Sequence, residues 1–487
     1  MTRLSGKTVD QLNPHISVPV YDRSVVDVGI VHFGVGAFHR SHQAVYLDDA
    51  LAGGELSWGV CGVGVLPTDQ RIRDVLDDQD GLYTLLTVDT SGDSRARVIG
   101  SHVLHLHAPD DPFAVLDRLT DPAVRIVSLT ITEGGYSVND ATGAFEPRDA
   151  ATLADLAGAQ PPATAFGFIV SALAARRAAG TPPFTVMSCD NIQHNGRVAR
   201  AAITAFALHV DPELAEWIGQ HVTFPNSMVD RITPATTPDV IAAVNRYGVE
   251  DGWPIRAEAF TQWVLEDNFS SGRPALDKVG VQLVEDVTPY EYMKLRLLNA
   301  SHQVMSYLGL LAGETYVHDV CRDADFVGFL LAYMHKEAIP TLDPVPGVDL
   351  ELYCNQLIDR FSSEAILDTL ARQTVDGSDR VPKFLLPVIQ AQLDAGRDIR
   401  RATLALAAWS RYLDPELTPE TAPPPNDRRI DTIRAAAIAE RSRPGAFLDQ
   451  PDVFGDLGQD LILRTAFTRA RSLLSQGGAR AAVTLLA

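Results

Sequence analysis

Apolar residues recur along this chain in two rhythms, and the change from one to the other divides it. In the first half, short apolar runs rich in β-branched residues are bounded by glycine, proline and acids, at residues 26–33, 57–65, 83–88, 97–106, 124–132 and 184–188. Runs of that length without strict alternation predict strands buried on both faces. Helical spacing fills the intervals, predicting helices from the turn after residue 36 through Leu51, over 111–119 and over 164–179. Strands alternating with helices predict a largely parallel α/β sheet covered on both faces. Residues 253–274 mix a β-like run with acids and a turn, and a domain boundary is expected shortly afterwards. The expected division is residues 1–285 and 286–487.

From Thr288 onward the period is helical almost throughout, with proline-rich breaks at 340–346 and 415–425 read as surface loops. The most informative of these helices covers residues 290–309, YEYMKLRLLNASHQVMSYLG. Thr288 and Glu291 have the spacing of a capping box ahead of it. At about 100° per residue, Glu291, Lys294, Asn299 and His302 share an arc of about 140°. Apolar residues cover the other side, so the helix looks buried all round. Interior lysine, asparagine and histidine are costly unless partnered, and their clustering suggests an internal polar site. A solvated face of an amphipathic helix has the same spacing, so the pattern leaves both readings open.

Composition narrows the class. With 487 residues the chain has material for two or three domains, and 46% apolar with 21% charged residues is ordinary for a globular protein. A formal charge of -21 argues against nucleic acid and anionic membranes as partners. There is no apolar signal core and no run of about 18 apolar residues, so the cytoplasm is the expected compartment. Cys61, Cys189, Cys321 and Cys354 form no metal pattern, and neither do the histidines: HLH at His105 and His107 supplies only two ligands. No catalytic metal is expected.

The ends of the strands carry the candidate chemistry. After residues 26–33, Gly34 and Gly36 fit the first two positions of a dinucleotide-binding turn, but His39 occupies the third. Arg40 beside it suits a phosphate or a helix cap. Asp69 follows the second strand at about the place where such folds put an acid on the adenosine ribose, although it also suits a helix N-terminus. Thr132 and Glu133 end another strand before Gly134 and Gly135, and Asp190 and Asn191 end the next. An amide there can orient a substrate oxygen; an Asp-Asn turn looks the same. Asp230 and Arg231 lie between apolar residues, as a site pair or a structural one.

The motifs HFGVGAFHRSHQA, SLTITEGGY, FTVMSCDN, FPNSMVDRITP, QWVLEDNF, KLRLLNASH and DGSDRVPKFLLP occur in this order. Through them nearly the whole chain resembles the polyol-specific long-chain dehydrogenase/reductase family, whose turn reads GxGxFHR. The resemblance implies an N-terminal Rossmann-type domain, a helical C-terminal domain and a substrate between them. It implies zinc-independent, NAD(P)-linked interconversion of a sugar alcohol and a ketose, with D-mannitol and D-fructose as the leading pair and D-arabinitol or D-sorbitol as alternatives. By matching motif it makes Lys294 the general base and gives the reacting oxygen to Asn191 and Asn299. His302 becomes a substrate-orienting residue, and Asp230, Arg372 and Arg380 become contacts of the polyol chain. Glu291 would relay the proton or simply complete the capping box. Gly34, Gly36, Phe38, His39, Arg40, Asp69, Thr132 and Glu133 would hold the coenzyme. Arg380 stands where the family often has lysine. The rival reading is a fructuronate or tagaturonate reductase of the same superfamily, since Arg372 and Arg380 could take a carboxylate. A non-catalytic NAD-binding regulator is a third, disfavoured by the retained lysine, asparagines and histidine. The stretches QLNPHISVPVYDRS and FPNSMVDRITP favour the polyol. Asp69 favours NAD over NADP, and a monomer is expected.

Overall fold

The computed structural model describes residues 1–139 and 143–487, with only the backbone of Glu133. It divides into two compact units: residues 1–89 with 93–287, and residues 288–487 with 90–92.

The first unit is built on a five-stranded parallel sheet. In spatial order its strands are His102–His107, Gly59–Gly64, Val28–Phe33, Ile126–Leu129 and Thr185–Ser188. Numbered along the chain this is 3-2-1-4-5, the order of a dinucleotide-binding fold, which reverses between Val28–Phe33 and Ile126–Leu129. Both faces are covered. Val31, Phe33, Val127 and Leu129 pack under the helices Pro112–Thr120, Ala165–Ala179 and Asn195–Val210, while Ile30, Val60, Ile126 and Met187 pack with Tyr46, Trp263 and Leu265. Burial on two sides is why these strands read as continuous apolar runs.

Two expectations need correcting. Residues 97–106 are not one strand: Ser94–Ile99 pairs antiparallel with Tyr83–Val88, and His102–His107 belongs to the parallel sheet. Gly100 and Ser101 carry the chain from one sheet to the other. Residues 83–88 likewise lie outside the parallel sheet, with Ile255–Glu258 as their parallel neighbour.

The second unit is helical. At its centre the helix Ala300–Leu311 has every residue from Ala300 to Leu310 buried, so the interior reading of this segment is the one observed. The regular period fails just before it. Thr288–Met293 is α-helical, but Lys294–Asn299 forms a π turn whose last bond runs from Ala300 N–H to Leu295 O. The Tyr333 hydroxyl donates to the Arg296 carbonyl within this turn, at 3.2 Å. Such a turn holds one residue more than an α turn, which sets later residues back by about 100° and narrows the arc of Glu291, Lys294, Asn299 and His302 from about 140° to about 80°. Among the described residues no helix is long and apolar enough to cross a membrane.

Candidate active site

In the first unit the strand ends at the reversal point are stitched together by polar side chains. Gly34 has φ +88°, and a Cβ there would lie 2.1 Å from the Thr130 carbonyl, so only glycine fits. The Thr130 hydroxyl donates to Gly34 O at 2.7 Å. His32 Nε2 lies 2.9 Å from that hydroxyl, and His32 Nδ1 lies 2.8 Å from Ser128 Oγ. Burial pushes the His32 pKa down to about 3, so the ring works as a neutral hydrogen-bonding group. Gly36 is exposed, and a Cβ there would meet nothing nearer than 3.8 Å, which leaves room above the turn for a pyrophosphate.

Next to the turn, two expectations change. His39 is fully buried: it stacks on His32 with ring centroids 3.4 Å apart, and its Nε2 lies 3.0 Å from His102 Nε2. Arg40 is buried too, donating from Nη1 to the Trp253 carbonyl at 2.6 Å and lying over the Tyr83 ring. Burial holds the His39 pKa well below its usual value and lowers that of Arg40 to about 10. These two residues brace the turn from beneath and do not present themselves to a phosphate. Phe38, half-buried, stacks on His42.

Asp69 stands where a ribose acid is needed. Its Oδ2 accepts from Leu66 N at 2.9 Å, and its Cβ would be 2.7 Å from a Cβ placed on Gly64, the last residue of the second strand. Oδ1 has no hydrogen-bond partner among the described residues. A tight glycine turn, an open backbone above it and a carboxylate oxygen to spare fit a dinucleotide, with Gly34, Gly36 and Asp69 to hold it.

Beyond the turn, Thr132 has φ +63°, a conformation that costs a non-glycine residue about 1–3 kcal/mol. Asp190 holds it there. The buried Asp190 carboxylate accepts from Thr132 N at 2.8 Å, from Ile131 N at 3.2 Å and from the Tyr136 hydroxyl at 2.7 Å. Sequence reasoning passed Asp190 over as turn chemistry; the signal it offered was an acid at one strand end facing a Gly-Gly turn at the next. The side chain of Glu133 lies outside the described residues. Asn191 follows Asp190 and is exposed. Asp230 is buried and ends the strand Ser227–Asp230. Its neighbour Arg231 is structural: it donates to Ser41 O and Glu258 O and serves no site directly.

In the second unit, Glu291, Lys294, Asn299 and His302 are all buried. Asn299 Nδ2 and His302 Nδ1 have no hydrogen-bond partner among the described residues. Both lie on the helix that also carries Lys294, and a bound ligand or water would complete them. The His302 ring lies 4.6 Å from that of Phe361, and burial pushes its pKa down to about 4. Arg372 donates from Nε and Nη2 to the two oxygens of the buried Asp368, at 2.7 and 2.8 Å. Arg380 Nη1 donates to the Gln373 carbonyl at 3.2 Å. Asp368 is the second residue that sequence reasoning missed, because nothing in its neighbours marks it as more than a loop acid. No three histidine, cysteine, aspartate or glutamate side chains among the described residues converge as a metal site.

Residues 28–278 match the family model of the mannitol dehydrogenase Rossmann domain, and residues 286–474 that of the mannitol dehydrogenase C-terminal domain. The chain is 44% identical over 487 residues to the mannitol 2-dehydrogenase of Phaeosphaeria nodorum, covering 99% of this chain and 85% of the relative. It is also 44% identical, over 413 residues, to the polyol:NADP oxidoreductase of Gluconobacter oxydans, covering 84% and 85% of the two. Among solved structures, the Pseudomonas fluorescens mannitol 2-dehydrogenase in ternary complex with NAD and D-mannitol superposes with a TM-score of 0.90, at 44% identity and 99% coverage of both chains. A substrate-free D-sorbitol dehydrogenase superposes with a TM-score of 0.91, at 40% identity, covering 99% of this chain and all of that one.

Proposed function

The chain belongs to the mannitol dehydrogenase family, and from that premise we propose that it interconverts D-mannitol and D-fructose with NAD as the coenzyme. NAD, when bound, takes up the hydride from the carbinol carbon. Lys294 Nζ removes the hydroxyl proton as the hydride leaves, and Glu291, one turn earlier, passes that proton towards water. A lysine suits this task when buried, because desolvation favours the neutral amine. Asn191 and Asn299 donate amide hydrogens to the reacting oxygen as it gains charge, a contribution of about 3 kcal/mol for one such donor. His302, neutral at working pH, orients a neighbouring hydroxyl, and Asp230, Arg372 and Arg380 hold the rest of the polyol chain.

The observation that carries this reading is the pair of buried, uncompleted atoms on one helix, Asn299 Nδ2 and His302 Nδ1, one π turn and a few residues beyond Lys294. Hydroxyl groups of a neutral polyol satisfy both without bringing a charge inside. Asp69 supports NAD, since a 2′-phosphate would meet its carboxylate. The test offers NADH with fructose, fructuronate and tagaturonate in parallel, and with sorbose to sample the sorbitol branch. Turnover on fructose at least tenfold above the others is expected; preference for a uronate would overturn the reading.

A further inference from the structure

Asp368 has no role in the chemistry above, yet it organises both arginines assigned to the substrate. Its carboxylate is buried and takes three hydrogen bonds, from Arg372 Nε at 2.7 Å, Arg372 Nη2 at 2.8 Å and Gln373 Nε2 at 2.7 Å. Gln373 in turn receives Arg380 Nη1 on its backbone carbonyl at 3.2 Å and on its side-chain oxygen at 3.5 Å. One carboxylate thus fixes Arg372 directly and Arg380 through Gln373.

The pairing also alters what Arg372 can recognise. Arginine binds a carboxylate best through two parallel N–H groups backed by a full positive charge. In this protein the Nε and Nη2 edge is already filled by a carboxylate, and the charge is matched. Burial raises the Asp368 pKa, but the hydrogen bond and charge of Arg372, with His302 and Gln373, outweigh it and keep the group ionised. What remains of Arg372, whose side chain is 51% exposed, is an outer Nη1 edge able to donate to hydroxyl oxygens.

We propose that Asp368 is a positioning and specificity-determining residue: by holding Arg372 in a bidentate ion pair and Arg380 through Gln373, it tunes the site to neutral polyols and ketoses and against the corresponding sugar acids. The inference rests on the substrate roles proposed for Arg372 and Arg380. Without this carboxylate the guanidinium of Arg372 would keep its full charge and its bidentate edge, the arrangement suited to a uronate.

The experiment is Asp368→Asn in the full-length enzyme, assayed by NADH oxidation with fructose and with fructuronate. The KM for fructose should rise about 10-fold while kcat stays within about 3-fold, because the variant loosens binding groups and leaves the base intact. The ratio of kcat/KM for fructuronate to that for fructose should rise by about 30-fold or more, since one unit of positive charge is released. In the double variant Asp368→Asn with Arg372→Gln that gain should vanish, which a merely structural role for Asp368 would not produce. A uniform fall in kcat/KM on both substrates, with their ratio unchanged, refutes the proposal. If the Asn variant does not fold, the wild type still decides: D-mannonate should inhibit mannitol oxidation only at concentrations about 100-fold above the mannitol KM, and equal potency refutes the proposal. Absence of fructose reduction by the wild type would instead remove the proposed function itself.

Discussion

Removing the carboxylate of Asp69 should largely erase the preference for NAD over NADP. The 2′-phosphate of NADP carries about 1.5 to 2 negative charges near neutral pH. At about 5 Å from a carboxylate, with an effective dielectric between about 20 and 80, the repulsion is roughly 1.5 to 6 kcal/mol. Asp69 is only partly buried, so the low end applies, about 2 kcal/mol or about 30-fold in kcat/KM. Two arginines close in sequence would reverse the sign if they faced the phosphate, and the structure commits both elsewhere. Arg73 is paired with Asp74 at 2.7 Å and Asp110 at 2.7 Å, while the Arg71 guanidinium lies 3.9 Å from the centre of the Trp253 ring. Neither charge stands ready for a phosphate. Asp69→Ala should therefore raise kcat/KM for NADPH by about 30-fold and lower that for NADH by about 10-fold, the latter through lost hydrogen bonds to the ribose. Because Asp69 also accepts from Leu66 N, Asp69→Asn is the needed control: it keeps an acceptor, loses the charge and should raise kcat/KM for NADPH by the same factor with a smaller loss for NADH. Steady-state kinetics with both coenzymes at saturating fructose decide the matter. A wild type that prefers NADPH would show that Arg71 or Arg73 governs the pocket, and equal losses with both coenzymes would reduce Asp69 to a helix cap.

Three further outcomes are expected. Lys294→Ala should lower turnover by about 10³-fold with NADH affinity unchanged by fluorescence titration, and a small primary amine should restore part of it; near-normal turnover would remove Lys294 from the mechanism. Acid should unfold the protein early, because buried His105 and His302 have pKa values pushed down to about 4 by burial, and His32 to about 3. Their folded values lie below the unfolded value of about 6.5, so the unfolded chain binds the protons first and stability falls as pH drops from about 6.5 towards 4, by about 2 kcal/mol per such histidine at pH 5. A Tm unchanged between pH 7.5 and 5 would show that these rings are not held neutral. Exhaustive chelation should leave turnover intact, and loss of activity restored by zinc alone would overturn the lysine-based mechanism.

Much of the first unit was legible because its physics is local. A strand buried on both faces must be apolar along its length, and a backbone at φ +88° against the Thr130 carbonyl must be glycine, so Val28–Phe33 and Gly34 announced themselves. What sequence could not supply was which polar side chains point inwards. His39 and Arg40 sit three and four residues after Gly36, in the helix that follows a turn that binds phosphate in many folds, and their chemistry suits that role. Only the positions of His32, His102, Tyr83 and Trp253 show that they are spent on bracing. Residues 97–106 failed for a related reason: apolar residues stand on both sides of Gly100 and Ser101, and nothing in those two residues alone shows that the chain changes sheet there.

The π turn at Lys294–Asn299 is the clearest case of information that lies outside its own residues. KLRLLN has good α-helical propensity and contains no glycine or proline that would disturb an α-helix. An extra residue in the turn weakens the regular ladder, and the Tyr333 hydroxyl, 34 to 39 residues further along the chain, meets the Arg296 carbonyl inside it. The compensation is positional. On an unbroken α-helix Lys294 and Asn299 would lie about 140° apart around the axis, too far for one small oxygen between them; setting Asn299 back by about 100° leaves about 40°. A base and an amide acting on one hydroxyl, the roles proposed for Lys294 and Asn299, need that proximity. Removing the hydroxyl, as in Tyr333→Phe, withdraws support from the turn without touching either group, and kcat should fall more than KM changes. If kcat were unaffected, the π turn would be a packing accommodation and the alignment of Lys294 with Asn299 would not depend on it.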